Sequence, residues 1–113
     1  MNLPDPFVID FTMWTNTNFS YRLTFADAAT GLPLDLSGKA FAMNVKVNAA
    51  DVSATTAATI DFAGVANGIV GMGIPAGAIA AGLYVYDLIM FDAGSRERMG
   101  GGRFTVIQGV TQP

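Results

Sequence analysis

A strict two-residue alternation of apolar and polar side chains is the feature that most constrains the fold of this chain. Every second residue from Phe19 to Phe25 is apolar, and the residues between them are serine, arginine and threonine. Successive side chains of a β-strand point to opposite faces, so this pattern predicts a strand with one buried and one solvated face. The same period recurs in residues 7–13 and 41–47, which we also predict to be strands.

Strand-prone segments and glycine-containing turns continue along the rest of the chain. The stretch 75–81 is too short and too rich in small residues for a full helix, and we predict one short helical turn there. Seven or so short strands with regular turn signals are typical of an antiparallel β-sandwich. We therefore predict a single sandwich domain over 7–108, with an N-terminal arm over 1–6 and a C-terminal tail over 109–113. The further predicted strands are 58–62, 69–74, 83–91 and 97–108.

The segment 83–91 is the longest predicted strand, and it is apolar on both faces apart from Asp87. A strand of this composition is typically central in its sheet and covered on both sides. One explanation for the second covered face is a partner subunit. The chain then turns at residues 92–95 into a last strand, in which Phe104 and Val106 are predicted to face the core.

The composition excludes several classes of function. The 113 residues include no cysteine and no histidine, which removes disulfides, thiolate metal sites and the commonest general base. We therefore predict a non-enzymatic protein with no catalytic residues, no metal ligands and no cofactor. A net charge of −3 with scattered basic residues gives no electrostatic footprint for nucleic acid, so none is expected as a partner.

The surface is expected to be poor in charge. Only 13% of the residues are charged and 51% are hydrophobic, which is about half the usual charged share. One interpretation is a fold whose apolar residues are mostly small alanines. The interpretation that we adopt is that partner subunits cover part of the surface.

Neither a membrane span nor a leader is predicted. Residues 62–86 carry no charge, but they include six glycines and Pro75, so their hydrophobicity per residue is weak for a transmembrane helix. The N-terminal residues have no basic region followed by a long apolar one, so we expect no signal peptide. The protein is therefore expected to be made in the cytoplasm.

Several residues have the chemistry of a site but are better explained structurally. Gly71, Gly73 and Gly77 do not have the spacing of a phosphate-binding loop, and we interpret them as glycines that permit a bulge or a close backbone approach. The aspartates are not spaced as calcium ligands and are interpreted as turn residues. Trp14 lies beside a run of threonine and asparagine, so stacking on a sugar ring is a hypothesis of another class, a carbohydrate-binding module.

The remaining candidates are residues for contact with partner proteins. Three consecutive glycines inside a strand imply either a β-bulge or a neighbouring chain packed directly against the backbone, and arginines flank them. The N-terminal arm and the tryptophan are typical of interface anchors. The predicted interface residues are Leu3, Pro4, Phe7, Trp14, Arg96, Arg98, Gly100, Gly101 and Gly102.

The order of short motifs resembles a known group of proteins. The segments 31–38 (GLPLDLSG) and 81–88 (AGLYVYDL) are followed by 102–106 (GRFTV) and by Val110-Thr111. In this order they resemble the small immunoglobulin-like (Ig-like) β-sandwich proteins of tailed bacteriophages, similar to the N-terminal domain of phage baseplate upper proteins. The resemblance covers nearly the whole chain.

The resemblance implies an Ig-like sandwich and a structural role in the virion. Such a protein would be a tail or baseplate component, or an adaptor for fibre attachment, and its partners would be tail, baseplate, fibre or capsid subunits. Because virions have closed symmetry, a homo-oligomer or ring is expected. The sequence ends at Pro113, so we expect an adaptor, a fibre-base ring or a free-standing capsid decoration protein rather than a host-recognition protein.

Overall fold

The computed structural model describes residues 2–51 and 54–111 and shows a β-sandwich. Within these residues the chain forms nine strands and a single 3₁₀ turn, Val65–Asn67. The predicted all-β class is confirmed. The strands are β1 Phe7–Val8, β2 Phe11–Trp14, β3 Phe19–Thr24, β4 Ala40–Lys46, β5 Thr56–Ala57, β6 Thr59–Asp61, β7 Ile69–Ile74, β8 Gly82–Asp92 and β9 Ser95–Ile107.

The strands form two sheets whose order is that of an immunoglobulin-type sandwich. The large sheet has the order β1-β9-β8-β4-β5, with β2 also paired to β9, and the small sheet has the order β3-β7-β6. In immunoglobulin lettering the small sheet is B-E-D and the centre of the large sheet is G-F-C. One feature departs from the predicted antiparallel arrangement, because β1 and β2 run parallel to β9.

A tyrosine contact typical of immunoglobulin-type sandwiches is also present. Tyr84 lies near the start of β8, and its hydroxyl donates a 2.8 Å hydrogen bond to the carbonyl of Ala80, four residues upstream. In such sandwiches a tyrosine at this corner bonds back to the preceding backbone. The contact fixes the crossing from the small sheet to the large one.

The core lies between the sheets and contains most of the apolar set predicted by the alternation, although Tyr21 and Val47 are 39% and 55% exposed. Phe104 and Met43 are fully buried, and Val106 is 3% exposed. Phe11 is central to an aromatic cluster, with ring centroids 5.1 Å from those of Phe19 and Tyr86. Offset and tilted aromatic pairs at such distances add to the free energy of burial.

The predicted helical turn at 75–81 is wrong. Ala78 donates a hydrogen bond to the carbonyl of Pro75 at 3.2 Å, but Gly77 has a φ of +79°, and a left-handed residue cannot continue a right-handed helical turn. The 3₁₀ turn forms instead at Val65–Asn67, where Gly68 closes it with a φ of +74° and an N–H bonded to the carbonyl of Val65.

The turn predicted at residues 92–95 is confirmed as a two-residue hairpin loop. Asp92 and Ser95 are paired, and between them Ala93 and Gly94 have φ values of +48° and +90°. Positive φ at both central residues is typical of a type I′ turn, whose twist matches that of the strands it joins. The loop thus allows β8 and β9 to form the longest hairpin of the domain.

The uncharged stretch 62–86 is part of the sandwich and includes the whole of β7. Among the described residues there is no helix of sufficient length and apolar character to cross a membrane.

Candidate protein-docking face

Strand β8 exposes its second apolar face. Tyr86, Leu88 and Met90 point into the core, whereas Leu83 and Val85 point away from the small sheet. Leu83 is 77% exposed. The prediction that β8 is central is confirmed by its pairing with both β4 and β9. Among the described residues, however, no element of this chain covers its second face.

We use the term outer face for the side of the large sheet that points away from the small sheet. Its apolar side chains come from five strands, and the charged side chains of Asp87, Arg98 and Arg103 lie among them. Contiguous exposed apolar patches on soluble proteins mark interaction sites more often than single exposed side chains do. The apolar residues of the outer face are Val8, Trp14, Ala42, Leu83, Val85, Ile89, Phe91 and Ile107.

One end of the outer face is apolar and highly exposed. Trp14 is opposite Ile107 in the β2–β9 register, and the two side chains are 47% and 37% exposed. Leu83 lies opposite Thr105, one diagonal step from Ile107. Diagonal neighbours on a sheet face are within reach of long side chains, so these three side chains form one patch. The predicted contact residue Trp14 therefore lies on the outer face.

The other end of the outer face forms a groove of about 710 Å³. The side chains of Val85, Ile89 and Phe91 form its floor, and basic side chains from β4 and β9 line its sides. A single carboxylate, that of Asp87, is among the lining residues. The basic lining residues are Lys46, Arg96, Arg98 and Arg103.

A β-bulge brings three of these cations to one face. Ile89 is opposite Arg98, but its neighbour Leu88 is opposite Gly100, so Met99 is an extra residue in β9. Arg98 and Arg103 are five positions apart in the sequence. Because this offset is odd, regular alternation would place them on opposite faces of the sheet. The extra residue reverses the alternation, and Arg103 consequently lies opposite the outward-facing Val85.

The three glycines after the bulge permit close contacts with the same chain. A Cβ at Gly100 would meet the ring of Phe7, and one at Gly102 would meet the carbonyl of Ile9. At Gly101 a Cβ would be 2.5 Å from Nη2 of Arg98. The glycines therefore accommodate the N-terminal strand of this chain and allow the Arg98 guanidinium to lie over the sheet. Of the two alternatives predicted for this segment the bulge is present, and the close approach at Gly100 and Gly102 is made by this chain's own N-terminal strand.

The N-terminal arm is held by the domain. The backbone N–H of Asn2 donates to Oδ2 of Asp27 at 3.2 Å, and the N–H of Ala28 donates to the carbonyl of Asn2 at 2.9 Å. The ring of Phe7 is 6.3 Å from that of Phe25, and Leu3 packs against the core. Of the predicted contact residues in the arm, Leu3, Pro4 and Phe7 are thus half-buried within this chain.

The carboxylates of Asp27 and Asp35 act in turns. Oδ1 of Asp27 accepts the N–H groups of Ala29 and Thr30, and Oδ1 of Asp35 accepts that of Ser37. The hydrogen bond from the Asn2 N–H, followed by those of the turn, lowers the pKa of Asp27. The interpretation as turn residues is confirmed for Asp27 and Asp35 and is wrong for Asp87, which lies within β8.

The structure does not bring candidate catalytic or metal-binding groups together. Asp87 is opposite Gly101, whereas Glu97 is opposite the inward-pointing Met90, so these two carboxylates lie on opposite faces of the hairpin. Within residues 2–51 and 54–111 no three carboxylates cluster closely enough to hold a metal ion.

Sequence reasoning identified Arg96, Arg98 and Trp14 but missed Lys46, Arg103 and Leu83. The bulge explains the case of Arg103, because it changes the face of every residue after Met99 in β9. The run of three glycines beside the arginines was the available signal for it, since glycine runs inside strands often accompany bulges.

Comparisons with known proteins support the fold alone. No protein-family model and no curated protein matches the chain. Among solved structures, it is similar to the endo-fucoidan hydrolase MfFcnA9 from glycoside hydrolase family 107, with a TM-score of 0.50 and 16% sequence identity. The match covers 94% of this chain and 17% of that enzyme, so this chain corresponds to a small part of the enzyme's length.

Proposed function

We propose that this protein is a non-enzymatic structural component of a tailed-bacteriophage particle, acting as a tail, baseplate or fibre-attachment adaptor. The observation that carries the proposal is the outer face of the large sheet, where an apolar surface along β8 is left uncovered by the described part of the chain. The order of motifs along the sequence supports the viral setting, because it resembles that of the small Ig-like phage proteins.

The properties of the domain suit a role in packing between proteins. Apolar residues at the centre of an interface stabilise it by removing surface from water, at about 25 cal/mol per Å² before the costs of association. The exposed patch of Trp14, Leu83 and Ile107 supplies such a centre, and aromatic anchors of this kind dominate many interfaces. A neighbouring particle protein is the partner that we propose for this patch.

The copy number of the protein in purified particles tests this proposal. Quantitative mass spectrometry of particles made by the encoding phage would compare the chain with the major capsid protein. A small multiple of three or six copies per particle is expected for a tail or baseplate part, since these assemblies have closed symmetry. A number close to that of the capsid protein would indicate the alternative, capsid decoration, and absence from particles would contradict a structural role.

A carbohydrate-binding module is the second candidate, favoured by the exposed indole of Trp14. Sugar binding by this residue predicts that Trp14→Ala abolishes binding to a glycan array while the chain stays folded. Binding of the wild-type chain to the array, with no partner protein in particles, would support this candidate over the structural role.

A further inference from the structure

We infer that the groove at the basic end of the outer face binds an extended segment of another protein in which acidic and apolar side chains alternate. The inference rests on the proposed docking role of the outer face and specifies the chemistry of the partner. Three features carry it: the charge of the groove, the bulge that collects this charge, and the aliphatic floor.

The groove concentrates positive charge in an acidic protein. It contains four of the six basic residues of the chain and one acidic residue, Asp87, so its lining carries +3. Because the whole chain carries −3, the remainder carries −6. Like charges collected on one face disfavour the isolated fold, and this charge asymmetry is complementary to an acidic partner.

The groove cations form no ion pair within the described part of the chain, although Asp87 lies among them and Oδ1 of Asp10 accepts the backbone N–H of Arg103. The ion pair found there joins Lys39 to Asp92 at 3.1 Å, outside the groove. Within the groove, Nζ of Lys46 donates to the carbonyl of Asp51 at 2.8 Å, and the guanidinium of Arg96 lies 5.4 Å from the ring centroid of Phe91. These contacts position the cations but leave their charge available to carboxylates.

The bulge at Met99 gives the groove the geometry of a built site. Without the extra residue, Arg103 would point to the inner side of the sheet, where its charge would be unpaired in the core. With it, Arg96, Arg98 and Arg103 follow one another along the same face of β9, opposite Phe91, Ile89 and Val85 respectively. Bulges recur where a strand must redirect a side chain at a functional position.

The floor favours a polypeptide over a sugar chain. Val85 and Ile89 are aliphatic, and the Arg96 guanidinium lies near the Phe91 ring, so the floor offers a sugar ring little aromatic surface for stacking. From Val85 to Phe91 the floor extends over six residue steps of about 3.3 Å each, or roughly 20 Å. A segment of six or seven extended residues matches this length, with apolar side chains on the floor and carboxylates against the arginines.

Selection from a random peptide library tests the inference without knowledge of the natural partner. The immobilised full chain would be used to select from an mRNA-displayed library of random twelve-residue peptides, and the enriched peptides would be synthesised and titrated against the wild type. We expect enrichment of aspartate and glutamate alternating with apolar residues. We also expect binding to weaken about tenfold in Arg98→Glu and in Arg103→Glu, since a tenfold change corresponds to the loss of one favourable charge contact of ordinary strength.

Arg22→Glu is the matched control. Arg22 is exposed on β3 in the small sheet, away from the groove, so the same charge reversal there should leave peptide affinity unchanged. Far-ultraviolet circular dichroism of all three variants would establish that they are folded. Should Arg98→Glu unfold the chain, Arg103→Glu alone still tests the inference.

Several outcomes would overturn the inference. These are the absence of any enriched peptide, enriched peptides without acidic residues, and equal affinity for Arg98→Glu, Arg103→Glu and the wild type. Binding of heparin with the same charge dependence but no peptide enrichment would identify a polyanionic sugar as the occupant instead. A wild-type oligomer that Arg98→Glu converts to a monomer, as seen by light scattering, would identify a second copy of the chain.

The two proposals can fail separately. If the chain is absent from particles but selects acidic peptides through Arg98 and Arg103, the result would support the inference about the groove and contradict the viral role. If the chain is present in particles but selects no acidic peptide, the result would support the viral role and contradict the inference about the groove.

Discussion

Tyr84 and Tyr86 are two positions apart in β8, and their hydroxyl groups stabilise different contacts of the sandwich. That of Tyr84 bonds to the Ala80 carbonyl at the corner between the sheets. That of Tyr86 donates a 2.6 Å hydrogen bond to the carbonyl of Ile9, between β1 and β2. Tyr86 therefore links the N-terminal strands to the β8–β9 hairpin, in which β9 is their parallel partner.

Removal of this hydroxyl should destabilise the fold measurably. Tyr86 is 4% exposed, so Tyr86→Phe leaves the Ile9 carbonyl without its partner in a mostly buried place. We expect the free energy of unfolding to fall by about 1–2 kcal/mol, the usual cost of such a loss. Urea unfolding curves would measure this fall in the free energy of unfolding. Tyr21→Phe is the control, because among the described residues no hydrogen bond comes from the Tyr21 hydroxyl. An equal effect of both substitutions would contradict a stabilising role for the Tyr86 hydrogen bond.

The same tyrosine predicts a pH dependence at alkaline pH. Burial, and to a smaller extent the charge of Asp10, raises the pKa of Tyr86 above its ordinary value. The unfolded chain therefore releases this proton near pH 10 whereas the folded chain retains it, so stability is lost as the pH rises above about 10. The stability difference between wild type and Tyr86→Phe should narrow from pH 9 to pH 11, and a constant difference over that range would count against a raised pKa.

Ala93 is the one described non-glycine residue with a positive φ, at +48° in the hairpin loop. The left-handed region costs most L-residues about 1 kcal/mol, and asparagine tolerates it better than alanine. We predict that Ala93→Asn raises the free energy of unfolding by about 0.5–1 kcal/mol. Thermal unfolding would measure the change as a higher Tm, and a lower Tm would show that the loop does not retain the type I′ conformation in solution.

At the scale of the element, the glycines of β9 set how closely β1 can approach. A Cβ at Gly102 would collide with the backbone carbonyl of Ile9, which cannot move without displacing β1. A Cβ at Gly73 in β7 would be 3.6 Å from the nearest atom, an ordinary contact. We expect Gly102→Ala to lower the free energy of unfolding by about 1–3 kcal/mol and Gly73→Ala to lower it by well under 1 kcal/mol. Denaturant unfolding would measure both changes, and equal changes would show that the parallel pairing of β1 is not tight.

Alternation predicts well the strands that have one buried face and one solvent-exposed face. Strand β7 was predicted with its observed bounds, and β3 and β4 were predicted to within about one residue. The parallel pairing of β1 with β9 was not predictable, because the same alternation suits parallel and antiparallel partners. A bulge was predicted as one of two alternatives for the glycine run, but its position at Met99 was not, since local sequence does not specify which residue of a strand is left without a partner.

At the scale of the whole molecule, the sandwich class follows from the number and spacing of strands, but the assignment of strands to sheets does not. The apolar composition of both faces of β8 predicted that something covers each face. The structure shows the small sheet over one face and no element of the described chain over the other. Because β8 is apolar on both faces and only one face is covered, the uncovered face is a candidate docking face.

The central claim is that the outer face of the large sheet attaches this protein to its neighbours in the particle. Leu83→Asp and Leu32→Asp provide a matched pair, because the side chains are 77% and 65% exposed and only Leu83 lies on the outer face. Neither substitution should unfold the chain, since both side chains are already in water.

The decisive measurement is the copy number of each variant in purified particles, determined by quantitative mass spectrometry with the wild-type chain expressed in competition. A charge at the centre of an apolar interface should reduce incorporation of Leu83→Asp at least about tenfold, while Leu32→Asp should be incorporated like the wild type. Equal incorporation of both variants would contradict the docking role of the outer face.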